Sequence, residues 1–383
     1  MNALKKALGV LGWLPAYEWQ RLTRRVPRKG LLHLVIALAD HFEPSIVPAA
    51  PQTYALADEQ ERRVEQWCAK YPAAVGAWRD ADGFPLRHTY FYPAEQYNKV
   101  LIDRLAEHCR TGWGELEVHL HHGINRPDTA ENTRRVLVEF RDALVAHGCL
   151  SRWNGEGSPR YAFVHGNWAL ANSGGGQACG VDEEMQILGE TGCYADLTLP
   201  SAPHPAQVHK INALYECAGP LDQRAPHRWG RNLRRGRPPS VFPLIIQGPL
   251  GLDFARRVKG WRVPSIENAA LTTSCPPTMH RLQLWCDAAI GVEHRPDWLF
   301  IKLHCHGMDP RDEAAMLGSP LRRFLGELTD WAAASGRSRV HFVTAREMVN
   351  IALAACDGRA GNPGDYRDYR LRLITPCESP ASR

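Results

Sequence analysis

Eight short apolar runs recur along this chain, and stretches with helical periodicity separate several of them. They are Leu31–Ala39, His88–Tyr92, Glu115–His121, Tyr161–His165, Tyr194–Leu199, Phe242–Gln247, Leu299–Cys305 and Arg339–Val343. Mostly continuous apolar strands alternating with helices build a parallel sheet whose faces are covered by helices. The expected fold class is therefore α/β. A length of 383 residues permits two or three ordinary domains or one large α/β barrel with insertions. With no internal repeat and no clear linker, one domain is expected.

Several helices carry their own start and stop signals. Asp128-x-x-Glu131 resembles a capping box, Val136, Leu137, Phe140 and Leu144 follow at helical spacing, and Gly148 ends the run. Ser319-Pro320 opens another helix with an apolar face of Leu321, Phe324, Leu325, Leu328 and Trp331, closed by Gly336. Thr344-x-x-Glu347 caps a third. A fourth is expected over Glu95–Arg110, with Tyr97, Val100, Leu101 and Leu105 inward.

Charge is placed unevenly. The net charge is +5. Residues 1–30 carry seven cations against Glu18 alone, a net +6, so the remaining 353 residues sum to −1. That distribution argues against a nucleic-acid partner. The first 30 residues read as a basic amphipathic segment, either packed on its own domain or meeting a membrane surface peripherally. No uncharged apolar run approaches a membrane span. The eleven cysteines are scattered without a CxxC pair, which suits a reducing, cytoplasmic compartment. Residues 220–240 hold six arginines and one acid. They read as a long basic loop, either a solvated insertion or a contact for an anionic partner.

The unusual feature is the polar residues at the strand ends, where apolar side chains are the rule. Strand one ends Ala39-Asp40-His41-Phe42-Glu43, strand three His119-Leu120-His121-His122, and strand four His165-Gly166-Asn167-Trp168; strand seven carries Lys302, His304 and His306. Alternation places His119 and His121 on one face, and Lys302, His304 and His306 on another shared face. In a parallel barrel the strands' carboxyl ends open on one rim. Asp40, His121, His165 and His306 would converge there as donors for a divalent metal, with a position left for water. His33, His88 and His341 read as ordinary packed histidines. There is no G-x-S-x-G elbow and no phosphate-binding glycine loop. Cys179 and Cys193 lie too far apart to suggest a metal pair.

The order of these motifs over about residues 31–355 resembles the polysaccharide deacetylase (NodB-homology) family of the glycoside hydrolase/deacetylase β/α-barrel group. LVIALADHFEP sits where that family's first strand ends in an acidic pair, and His88–Tyr92 matches its second strand. Glu117–His122 matches the strand that delivers metal-binding histidines, and Ala146-His147-Gly148 with Tyr161–Trp168 occupies the place of the third motif. Gly192–Asp196 resembles the strand before the fourth motif, Lys302–His306 the late strand ending in a catalytic histidine, and Val340–Ile351 the closing strand and helix.

The resemblance implies a seven- or eight-stranded (β/α) barrel over 31–355, with the basic insertion near 220–240 and a C-terminal tail from 356. It implies a metal-dependent carbohydrate hydrolase that removes an N- or O-acyl group, with zinc the first candidate for the ion. Asp40 and His121 are then expected as ligands, with His119 or His122 as the third. His306 is the expected acid, with His304 beside it. The family's aspartate pair is reduced here to Asp40, flanked by Ala39 and His41: either Asp40 is itself the catalytic base, or Asp40 is the ligand and Glu43 or a histidine serves as base. His41, His165, Asn167, Trp168, Asp196 and Lys302 are candidates for substrate contact. A glycoside hydrolase using Asp40, Glu43, Glu117, Asp196 or Asp309, or a non-catalytic glycan-binding barrel, are the alternatives.

Overall fold

The computed structural model describes residues 12–50, 53–255, 257–258 and 260–377. Lys5 and Lys6 lie outside them. The helices are α1 (Leu14–Thr23), α2 (Ala57–Val75), α3 (Lys99–His108), α4 (Ala130–Ala146), α5 (Glu184–Thr191), α6 (Met279–Asp287), α7 (Glu313–Leu317), α8 (Ser319–Ser335) and α9 (Ala345–Cys356). The larger sheet is built from β1 (Leu32–His41), β2 (His88–Pro93), β3 (Gly114–Leu120), β4 (Ser151–Trp153), β5 (Glu156–His165), β6 (Cys193–Asp196), β7 (Leu214–Cys217), β8 (Gly230–Asn232) and β9 (Leu244–Ile246). Two small antiparallel pairs follow, β10 (Gly251–Asp253) with β13 (Ser265–Glu267) and β11 (Arg257–Val258) with β12 (Trp261–Arg262). The chain then returns to the large sheet through β14 (Trp298–Cys305), β15 (Ser338–Val343) and β16 (Leu371–Leu373).

All eight expected strands are present. They join in the order β14-β1-β2-β3-β5-β6-β9, every pairing parallel, with β15 alongside the first half of β1. The antiparallel strands β7 and β8 extend the sheet beyond β9, and β4 and β16 lie beside β5. The protein is thus a mixed α/β structure with a large, mostly parallel sheet.

Alternation along β1 explains the layering. Leu34, Ile36 and Leu38 face outward into a core shared with Trp67 and Tyr71 of α2, Leu101 and Leu105 of α3, and Phe324 of α8. Val35, Ala37 and Ala39 face the other way, into a second core that contains Ala195, Leu244, Ile246 and Phe300. Strands from both ends of the parallel run, β14 and β9, therefore contribute to one inner core. The buried ammonium of Lys302 spans the same interior, donating to Leu197 O at 2.8 Å.

Helix α9 fills one end of this inner core. Its capping box forms as the sequence suggests, Thr344 and Glu347 exchanging side-chain and backbone bonds, and every residue from Ala345 to Cys356 is buried. A helix apolar on nearly all sides belongs inside a structure. Its one cation, Arg346, is clamped by Glu115 at 2.7 and 3.0 Å and by the Leu371 carbonyl at 2.6 Å.

Several expectations need correction. The expected helix over 95–110 breaks at Asn98, whose side chain caps α3. Leu101 and Leu105 are buried, but Tyr97 and Val100 are exposed. The helix after Asp128 is capped by Thr129 rather than Asp128. The expected tail from 356 is part of the fold, because β16 pairs with β4 and Arg367 bonds Asp80 and Asp82. The described part of the amphipathic segment, from residue 12, contains helix α1, and Trp13 just before it packs against Ala202, Ile211 and Leu250. The stretch 220–240 holds strand β8, and its arginines are partly engaged: Arg231 pairs with Glu216 at 3.0 Å, and Arg224 donates to Asn172 O at 2.8 Å. No helix among the described residues is long and apolar enough to cross a membrane.

The inner face of β3 carries Glu115, Glu117, His119 and then His121, one polar group at every second residue. Glu117 accepts from Tyr194 Oη and from Ala162 N–H. Burial pushes its carboxyl up to about 8, only partly offset by the Tyr194 bond. The native state then keeps this proton up to about pH 8, whereas the unfolded chain releases it near pH 4.5. The site's contribution is complete below the unfolded value and is lost as pH rises through the folded one. Glu117→Gln should remove that loss. Relative to wild type, the variant's stability should improve by about 1.4 kcal/mol per pH unit between those values. Urea midpoints at pH 5 and pH 8 measure this, and parallel pH dependences would refute it.

Candidate metal centre

The site gathers where β1, β3 and β14 end. At the end of β1, alternation turns Asp40 to the outer face and His41 to the inner one. Asp40 is fully buried, accepting from Gly307 N–H at 2.6 Å and pairing with His88 Nδ1 at 3.0 Å. Cys305 shares this outer pocket. Asp40 therefore does not join the imidazoles it was expected to ligate with. It fixes the backbone directly after His306.

The inner face presents a row of imidazoles. The His41 ring packs at 4.7 Å from His306, 4.8 Å from His119 and 6.3 Å from His304, centroid to centroid. His119 and His121 sit edge to face at 4.6 Å. His119 Nδ1 lies 2.8 Å from Val164 O, which can only accept, so the proton is on Nδ1 and the lone pair on Nε2. His121 Nδ1 lies 2.8 Å from Glu95 Oε1, the same arrangement with a carboxylate. Both Nε2 atoms turn toward one oxygen, Glu43 Oε1, at 3.3 Å from His119 and 3.6 Å from His121.

Two lone pairs facing a carboxylate oxygen repel unless a proton or a cation lies between them. An outer carboxylate or carbonyl on the far ring nitrogen is also how metal-binding histidines are oriented. The donor atoms of His41, Glu43 and His119 lie within 4.8 Å of one another. These groups can hold a metal ion, and imidazole with carboxylate suits a borderline divalent cation.

Electrostatics favours the ligating forms of His41, His119 and Glu43, and opposes that of His121. Burial holds His41 well below the usual histidine value, and His306 and His119 add to the effect. His119 is lowered by burial, against the pull of Glu43. For Glu43, burial raises the carboxyl, but the His119 hydrogen bond and the His121 charge win and bring it down to about 2. His121 moves up: burial opposes the charge, and Glu95 and Glu43 outweigh burial. His41 Nδ1 and His304 Nδ1 are buried with no hydrogen-bond partner, as expected of side chains kept for an incoming group.

The other expected site residues divide by location. His304 and half-buried His306 belong to this row. His122 faces away from its neighbour His121, toward His165 and Glu184, at 3.1 and 2.9 Å. Asn167 and Trp168 are half-buried on the loop after β5, and Trp168 packs on His204 at 5.3 Å between ring centroids. Asp196 and Lys302 are fully buried beneath the row. Burial pushes Asp196 up to about 7, partly offset by Thr198, and pushes Lys302 down to about 7. Of the carboxylates weighed for glycoside cleavage, Glu43 alone contacts the imidazole row. Glu117 is tied to Tyr194, Asp196 to Thr198, and Asp309 to Arg311.

Glu95 was missed because it follows β2 in a short turn, with no spacing that ties it to His121. His88 was set aside as packing, and it is buried against Asp40. Compared with known proteins, the chain matches no family model and no curated protein sequence.

Asp40→Asn separates positioning from ligation. It keeps the oxygen that receives Gly307 N–H and weakens the pair with His88. We expect metal content unchanged and stability lower by about 1–3 kcal/mol, the range for a disturbed buried hydrogen bond. Loss of bound metal in this variant would return Asp40 to the ligand set.

Proposed function

We propose that this protein is a metal-dependent hydrolase that removes an acyl group from a carbohydrate, working at the open end of a (β/α) barrel. The observation that carries the reading is the pairing of His119 and His121, each with its Nδ1 committed and its Nε2 aimed at Glu43. His41, Glu43 and His119 would hold the ion, with His121 beside them, and the donor set suits zinc. What such an ion supplies when bound is polarisation of an acyl oxygen and acidification of a water.

The chain's own groups do the rest. Glu43 is ionised across the ordinary pH range and can take a proton on an oxygen not committed to the imidazoles. Glu95 fixes the ring plane and tautomer of His121. His306, half-buried at the mouth, is placed to protonate a departing sugar oxygen or nitrogen, a task suited to imidazole. Asp40 holds the Gly307 amide and so sets where His306 stands. Trp168 and His204 form an aromatic rim against which a sugar face can stack. Of the two carboxylates at the imidazole row, Glu95 commits both oxygens to His121, to its Nδ1 and its backbone N–H. Glu43 is left as the one carboxylate with an oxygen free, and this favours acyl removal over glycoside cleavage, which needs two.

The test combines metal analysis of the full-length protein with release assays on acylated sugars, scoring acetate and reducing ends separately. Bound metal and acetate without new reducing ends is the expected result. Reducing ends without acetate would move the assignment to a glycosidase. A metal-free protein that binds glycan and releases nothing would make it a binding barrel.

A further inference from the structure

We propose that His122, His165, Cys179 and Glu184 form a second, buried site for a zinc-class ion, structural in role and separate from the row around Glu43. The four residues come from four segments: the end of β3, the end of β5, the loop 166–183 and the first turn of α5. All four are buried, and one donor atom from each lies within 4.8 Å of every other. His122 Nε2 is 2.9 Å from Glu184 Oε1 and 3.1 Å from His165 Nε2. His165 Nε2 is 3.8 Å from Glu184 Oε1, and Cys179 Sγ is 3.6 Å from Glu184 Oε2. A tetrahedral ion with bonds of about 2.0–2.3 Å needs donors roughly 3.3–3.8 Å apart, so small adjustments suffice.

The surroundings are those of a ligand set. His122 Nδ1 is 3.0 Å from Asp128 Oδ2, and Thr133 Oγ1 holds the same oxygen at 3.0 Å. That outer carboxylate orients His122 with Nε2 inward. Two imidazoles, a thiol and a carboxylate select zinc among the common divalent ions. Binding releases the Cys179 thiol proton and any proton shared between His122 and Glu184. It also moves the His165 proton to Nδ1, giving up the bond that Asn167 N–H makes there at 3.1 Å. That bond and the Cys179 thiol's contact with Val181 O at 3.7 Å are exchanged for four metal bonds.

The site would staple a strained loop. Trp168, Ala171, Asn172 and Ala178 all have positive φ, between 45° and 58°, a region that side chains other than glycine seldom adopt. That loop starts at Gly166, which lies so close against the His121 ring that a Cβ there would clash, and it carries Asn167 and Trp168 directly after it. The rival occupant of the same space is a proton, making His122 an imidazolium between Asp128 and Glu184.

Cobalt exchange into the full-length protein tests this without relying on activity. A thiolate-to-cobalt charge-transfer band is expected in the wild type. It should be lost in Cys179→Ser and in His122→Asn, each with about one equivalent less zinc in the protein as purified. It should persist in His119→Asn, which disturbs only the other centre. Absence of the band from the wild type, or its survival in both Cys179→Ser and His122→Asn, would overturn the proposal. So would a wild-type protein free of zinc whose His122 titrates as an imidazolium.

Discussion

Replacing His306 by asparagine should lower acyl release by about 10²–10⁴-fold, the usual worth of a positioned acid or base, while bound metal stays at the wild-type level. The reasoning is geometric. His306 is half-buried at the open side of the row, its ring 4.7 Å from His41, and none of its atoms belongs to the cluster of His41, Glu43 and His119. Its backbone is fixed from behind by Asp40 through Gly307, so the variant should keep its fold. His119→Asn should behave differently and lose metal and turnover together. Wild-type turnover in the His306 variant would remove it from the mechanism. Loss of metal in that variant would make it a ligand instead of an acid. Metal analysis and initial rates on one preparation separate these outcomes.

Arg346→Met should cost about 3–5 kcal/mol of stability, the range for breaking a buried ion pair from one side. The guanidinium lies wholly inside the protein, and Glu115 takes two of its hydrogen bonds. Asp368 accepts a third at 2.6 Å. Methionine would fill much of the volume but leave Glu115 in the interior without its hydrogen-bonded guanidinium, with only the more distant charge of Arg87. Such a loss is a large fraction of the 5–15 kcal/mol by which proteins of ordinary stability stay folded. A urea midpoint shift equivalent to less than 1 kcal/mol would show that Glu115 takes up a proton at little cost when its partner is removed. Replacing Glu115 and Arg346 together by apolar residues should recover much of the loss.

The strands were legible because each is a compact apolar run, and the same runs appear in the sheet. Three helix ends were legible because their caps are local. Helix α2 was not read at all: charged residues crowd its first half, and its inward stripe of Val64, Trp67 and Tyr71 is thin. At the site, period-two alternation was enough to pair His119 with His121 and Lys302 with His304. The same rule, applied to β1, would have chosen His41 over Asp40. The family resemblance favoured the aspartate, and the pleat decides against it. Glu95, Cys179 and Glu184 meet histidines from distant parts of the chain. Nothing local in the sequence announces a contact between residues 26 or 62 positions apart, such as His121 with Glu95 or His122 with Glu184.

The place of β1 in the sheet has a consequence for biogenesis. The first half of this early strand lies between late ones, with His33 to Asp40 in register with Trp298 to Cys305 and Leu32 to Ala37 with Ser338 to Val343, and only Leu38 to His41 pair with the early strand β2. During synthesis, both edges of that first half have to wait for some 260 further residues or more before they find their partners. Closing so long a loop delays folding and leaves an apolar ribbon open to other chains in the meantime. Nascent chains halted before residue 298 should therefore depend on holding chaperones, while chains released after β15 should mature without them.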